Sequence, residues 1–148
     1  MDIDREKLLK KYKKASDSLI TLKEALASMQ YVVPVAQCAQ QDPEKMYRIY
    51  RDSLIQRFEY TFDTSWKYLS DYLRAQGIFI AVPSPKTTFR ESLKAKILSA
   101  DEVRLALEMV DDRNLTTHGY DQALIEEISK KIPAYAQILE TVLQKTRI

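Results

Sequence analysis

The sequence predicts an all-α protein, an up-and-down four-helix bundle with an additional short helix, in a single domain spanning residues 1–148. Three observations carry that expectation. The chain has only 2 glycines and 5 prolines, too few for the turns of a many-stranded protein. Apolar residues recur every three or four positions along long segments, which is the period of a helix. Most of those segments also open on residue types that cap helices. With 45% hydrophobic and 30% charged residues, the composition is globular and supports one buried core.

In the first segment Leu8, Tyr12, Ala15, Leu19, Leu22, Leu26 and Met29 form one seam, started by Asp2 or Asp4. Pro34 disturbs its end, and residues 31–41 read as a connection. Asp42, Pro43 and Glu44 start the second helix, whose inward residues are Tyr47, Tyr50, Leu54, Ile55, Phe58, Phe62, Trp66, Leu69 and Leu73. Gly77 is placed to end it in a left-handed conformation, with Ile78 supplying an apolar contact. Ser84 and Pro85 open a shorter helix carrying Phe89 and Leu93. Ser99 and Glu102 form a capping-box pattern before Val103, Leu107 and Val110. A last helix runs from about Tyr120 to Lys145 with Leu124, Ile128, Ile132, Tyr135, Leu139 and Val142 inward. Pro133 inside it predicts a kink.

Composition excludes several function classes. One histidine and one cysteine cannot build a Cys/His zinc site within one chain, and two isolated glycines make no phosphate-cradling loop. No metal and no bound cofactor are expected. Asn114-Leu115-Thr116 fits a glycosylation pattern, read here as a chance match because no secretory signal is seen. The chain opens on charged residues and holds no apolar run of about 18–20 residues, so no membrane segment is expected. Cys38 has no internal disulfide partner, and a cytoplasmic location is the expectation. The net charge is +2, with a local basic stretch of Arg5, Lys7, Lys10, Lys11, Lys13 and Lys14. Such a stretch can meet nucleic acid or an acidic partner, although a solvated helix face is its commoner meaning.

Residues 111–121 break the apolar periodicity on either side. Arg113 and His118 would lie roughly 140° apart in one unbroken helix, so they converge only if the helix stops between them. Asn114, Thr116, Thr117 and Gly119 suit such a break. Arg113 could then grip a phosphate, His118 exchange a proton near neutral pH and Tyr120 donate a hydrogen bond. A structural alternative has Arg113 paired with Asp111 or Asp121 and His118 capping a helix.

The run from Arg113 to Tyr120 matches the R-x4-H-x-Y signature of HEPN-domain proteins, and its surroundings resemble the nucleotidyltransferase substrate-binding branch of that superfamily. The stretch from Arg51 to Phe62, the Trp66-Lys67 pair, Ser84-Pro85-Lys86 and Phe89-Arg90-Glu91 agree with it, in order, over most of the chain. The resemblance implies a helical-bundle homodimer that accompanies a separately encoded minimal nucleotidyltransferase, with nucleotide reaching it through that partner. In toxin–antitoxin members the HEPN chain is a metal-independent endoribonuclease toxin acting on RNA, silenced by addition of AMP to the motif tyrosine, here Tyr120. In the nearest branch it is instead named as a non-catalytic substrate-binding subunit.

Ribonuclease chemistry needs a base, an acid and charge stabilisation at phosphorus. With one histidine per chain, a two-histidine mechanism requires two chains. Arg113, His118 and Tyr120 are the candidate catalytic residues. Asp112, Asn114 and Thr117 beside the motif, and Arg51, Gln56 and Glu59 along the second helix, are candidate contacts for substrate or partner.

Overall fold

The computed structural model describes residues 4–117 and 121–148. Its helices are α1 (Arg5–Ser28), α2 (Val32–Cys38), α3 (Pro43–Ala75), α4 (Pro85–Lys94), α5 (Ala100–Leu115) and α6 (Gln122–Lys145), with a 3-10 turn at Met29–Tyr31. No strand occurs among the described residues. None of these helices is long and apolar enough to cross a membrane.

The starts follow from the capping residues. Asp4, Asp42, Ser84, Ser99 and Asp121 each accept from a backbone N–H of the following turn. At Ser99 the box is reciprocal: Glu102 N–H donates to Ser99 Oγ at 3.2 Å, and Ser99 N–H to Glu102 Oε1 at 2.9 Å. At the end of α3, Gly77 takes φ +87°. Its N–H reaches the Arg74 carbonyl and the Ile78 N–H reaches that of Leu73, both at 3.0 Å.

The segment expected to be a connection is partly helical. Pro34 is the third residue of α2, where a backbone N–H would have no acceptor within the helix, so proline is accommodated. The 3-10 turn carries the chain from α1 into that start. Leu93 also departs from expectation: α4 buries Thr88, Phe89 and Ser92, and Leu93 lies roughly a quarter-turn off that stripe, 40% exposed. The last helix begins at Gln122 and continues unbroken across Pro133.

The four long helices run up and down. α1 is antiparallel to α3, as shown by Arg57 donating to the Thr21 carbonyl, Thr61 to that of Ser18, and Lys11 pairing with Asp71. α3 and α6 run parallel: Tyr47 meets Glu126 near their starts and Tyr68 meets Thr146 near their ends. α5 returns antiparallel to α6. α3 supplies Leu54, Phe58, Phe62, Leu69 and Leu73 to the core, facing Ile128, Ile132, Tyr135, Leu139 and Val142 of α6. Phe58 stacks on Tyr135 with ring centroids 5.7 Å apart, and Phe62 reaches Phe89 of α4 at 6.4 Å. The aromatic spacing on α3 therefore serves packing, with Tyr47, Tyr50 and Trp66 only partly buried.

Gly77→Ala should destabilise the protein by about 1–2 kcal/mol. An alanine Cβ has free space there, and the cost comes from the left-handed backbone alone. Thermal unfolding followed by circular dichroism should show a midpoint lowered by several degrees; an unchanged midpoint would contradict this account of the helix end.

Candidate functional site

Two consecutive residues in the last turns of α5 face different helices. Asp112 is 7% exposed and accepts from the Tyr135 hydroxyl and from Lys131 Nζ, the latter at 3.2 Å. Burial, then the Asp112 carboxylate, pushes the Tyr135 hydroxyl far above its ordinary pKa and keeps it a neutral donor. Asp112 therefore joins α5 to α6.

Arg113, about 100° further round the helix, points to α3. Its Nη1 donates to Glu59 Oε2 at 3.0 Å and its Nη2 to Asp63 Oδ2 at 3.1 Å. Glu59 and Asp63 are one turn apart, so a planar guanidinium can span both. Thr116 completes the cluster, donating to Glu59 Oε2 at 2.9 Å, with Arg113 Nη1 3.3 Å from its own oxygen. Arg113 Nε is buried with no hydrogen-bond partner among the described residues.

A second cluster sits lower on α3. Arg51, 4% exposed, donates to Gln122 Oε1 at 2.6 Å, Glu126 Oε2 at 3.3 Å and Asp52 Oδ1 at 3.3 Å. Tyr47 donates to Glu126 Oε1 at 2.5 Å. That hydrogen bond, followed by the hydrogen bond and charge of Arg51, holds the Glu126 carboxyl below its usual range despite partial burial. Arg51 and Glu59 are eight residues apart, about 12 Å along α3. The clusters touch opposite ends of the α5–α6 connection: Arg113 and Thr116 precede it, and Gln122 follows it.

The expected break between Arg113 and His118 is present, since α5 ends at Leu115 and α6 begins at Gln122. His118, Gly119 and Tyr120 lie outside the described residues. The alternative pairings of Arg113 are overturned. Asp111 pairs with Lys86 Nζ at 2.7 Å, and Asp121 caps α6 by accepting from the Ala123 and Leu124 N–H groups. Of the candidates along α3, Glu59 is paired with Arg113, whereas Arg51 is a buried bridge between α3 and α6. Gln56 is exposed, as are Asn114 and Thr117, and Thr117 Oγ1 donates back to the Asn114 carbonyl at 2.8 Å. Sequence reasoning missed Asp63, Thr116, Gln122 and Glu126. The i, i+4 pair Glu59 and Asp63, off the apolar seam, was the available signal for one of them.

Residues 9–147 match the family described as nucleotidyltransferase substrate binding protein like, and the chain belongs to that family. Its membership is with proteins named for a nucleotidyltransferase and its substrate. Among solved structures, a protein from Thermus thermophilus is 40% identical to this chain. The match covers 90% of this chain and 99% of that one, with a TM-score of 0.71. A search of curated proteins found no match.

Because the Glu126 pKa is depressed on folding, its contribution to stability is present above the ordinary carboxylate value of 4.5 and is lost as pH falls through the folded value. The melting-temperature advantage of wild type over Glu126→Gln should be full at neutral pH and shrink below pH 4.5. An advantage that persists undiminished to acid would show that the charge of Glu126 does not matter.

Proposed function

We propose that this chain is the binding partner and protein substrate of a separately encoded minimal nucleotidyltransferase, presenting the end of the bundle that carries Arg113, His118 and Tyr120. The observation that supports this reading is the pairing of Arg113. Both of its terminal nitrogens are engaged by carboxylates, giving a fixed and compensated recognition surface instead of a cation open to phosphate. Tyr120 is the acceptor: its phenolic oxygen attacks the α-phosphorus of ATP, pyrophosphate leaves, and the phenolic proton is released. After incubation with the partner and ATP, intact and peptide mass should show AMP on the Tyr120 peptide, and Tyr120→Phe should remain unmodified. Absence of the increment with a demonstrably active partner would sink the reading.

A second reading is favoured by the complete R-x4-H-x-Y pattern and by Arg113 Nε, which has no hydrogen-bond partner among the described residues. Here the chain is a metal-independent endoribonuclease toxin. Two copies form a homodimer whose facing histidines supply base and acid, and AMP on Tyr120 blocks the cleft. Arg113 then has to exchange one carboxylate for phosphate as RNA enters. This reading predicts growth inhibition on expression without the partner, abolished in His118→Ala at unchanged melting temperature. A wild type that is harmless alone would leave only the companion role.

A further inference from the structure

The basic run at the start of the chain is sorted by the fold. Lys10 pairs with Glu6 and Lys13 with Asp17 on the exposed side of α1, while Lys11 is held by Asp71 of α3. Lys14 is different: its Nζ lies 5.8 Å from the ring centre of Tyr60, whose side chain belongs to α3 and is 51% exposed. Lys14 makes no ion pair with a described residue, nor does the exposed Lys67. Lys11, Lys14, Tyr60, Asp63, Thr64 and Lys67 line a groove of about 240 Å³ between α1 and α3.

This groove adjoins the Arg113 cluster. On a helical projection of α3 with Glu59 at the origin, Asp63, Lys67, Tyr60 and Thr64 follow at about 40°, 80°, 100° and 140°. Asp63 is therefore the border residue, lining the groove while accepting from Arg113 Nη2. Asp63 shares the single charge of Arg113 with Glu59, and Lys11 is paired with Asp71, so Lys14 and Lys67 are the groove cations without a carboxylate partner among the described residues. An aromatic ring and two ammonium groups without a carboxylate partner among the described residues, lining one groove, suit a ligand with a planar base and phosphates.

We propose that the groove between α1 and α3 binds a nucleotide unit, its base on Tyr60 and its phosphates on Lys14 and Lys67, beside the Arg113 cluster. The unit is either a free nucleoside triphosphate or one residue of a single-stranded RNA. This site is additional to the companion role and does not rest on it.

The test is fluorescence anisotropy with a short labelled single-stranded oligouridylate, using ATP and unlabelled oligouridylate as competitors. Wild type should bind the probe. The double variant Lys14→Glu, Lys67→Glu should weaken binding at least about tenfold. It should also reduce the slope of log affinity against log salt by about 1.4, since each of the two lysines neutralises one phosphate and accounts for roughly 0.7. Tyr60→Ala should weaken binding about tenfold, while Tyr60→Phe, which keeps the stacking face, should bind as wild type does. Displacement by ATP identifies a free-nucleotide site, and displacement by oligouridylate alone identifies a strand site; both support the proposal. It is overturned if wild type binds neither the probe nor ATP, or if the charge-reversed and Tyr60→Ala proteins keep wild-type affinity. A wild type that binds the probe yet forms no complex with the nucleotidyltransferase retains the groove and defeats only the companion reading.

Discussion

The end of the bundle where α5 stops depends on how two adjacent side chains of that helix are paired. Asp112 and Arg113 carry opposite charge and face different helices, so the final turns of α5 are drawn to α6 and α3 together. The main packing of α5 is on α4 and α6, and the Arg113 fork reaching Glu59 and Asp63 ties its end to the central helix. Neither group could be left alone in that setting. A half-buried guanidinium without its acids, or Asp112 without Tyr135 and Lys131, would carry an uncompensated desolvation cost. The geometry where the α5–α6 connection begins is therefore set by electrostatic pairing as much as by apolar packing.

The far side of that connection is anchored by different chemistry for a related reason. Arg51 is almost fully buried, and Gln122, Glu126 and Asp52 surround it. Glu126 is further fixed by Tyr47, so the first turns of α6 are tied to α3 by a network of hydrogen bonds. The connection between α5 and α6 is thus bounded at both ends by polar clusters on α3. The motif residues His118 and Tyr120 stand in that stretch of the sequence.

The helices were legible because local and global signals agree in them. The spacing of Leu54, Phe58, Phe62, Leu69 and Leu73 matches the face that α3 buries, and Asp42, Ser84 and Ser99 cap the helices they were expected to start. α2 was not legible because Pro34 reads as a breaker in sequence, and only its place in the first turn makes it compatible with a helix. At the site, Arg113 stood out by its motif, whereas its partners did not. Asp111 and Asp121 are close in sequence and were the obvious candidates, but α5 turns Asp111 toward Lys86 and Asp121 is consumed as a cap. Glu59 and Asp63 are 54 and 50 positions away, and only the packing of α5 beside α3 brings them to the guanidinium.

Charge pairing also decides which basic residues remain available to a ligand. In sequence the lysines of α1 read as one solvated basic face. Lys10 and Lys13 have carboxylate partners one turn away on α1 itself, while packing on α3 gives Lys11 the partner Asp71 and sets Lys14 against the ring of Tyr60. Exposed pairs of the first kind contribute little to stability, but they reduce the local field that an anion would meet. The same logic holds Arg113 in check at the other face of α3, where two carboxylates occupy the fork that phosphate would use. Asp63 of α3 thus lies between an arginine held by two carboxylates and two lysines without a carboxylate partner among the described residues. A phosphate approaching Arg113 would have to compete with the two carboxylates that hold it.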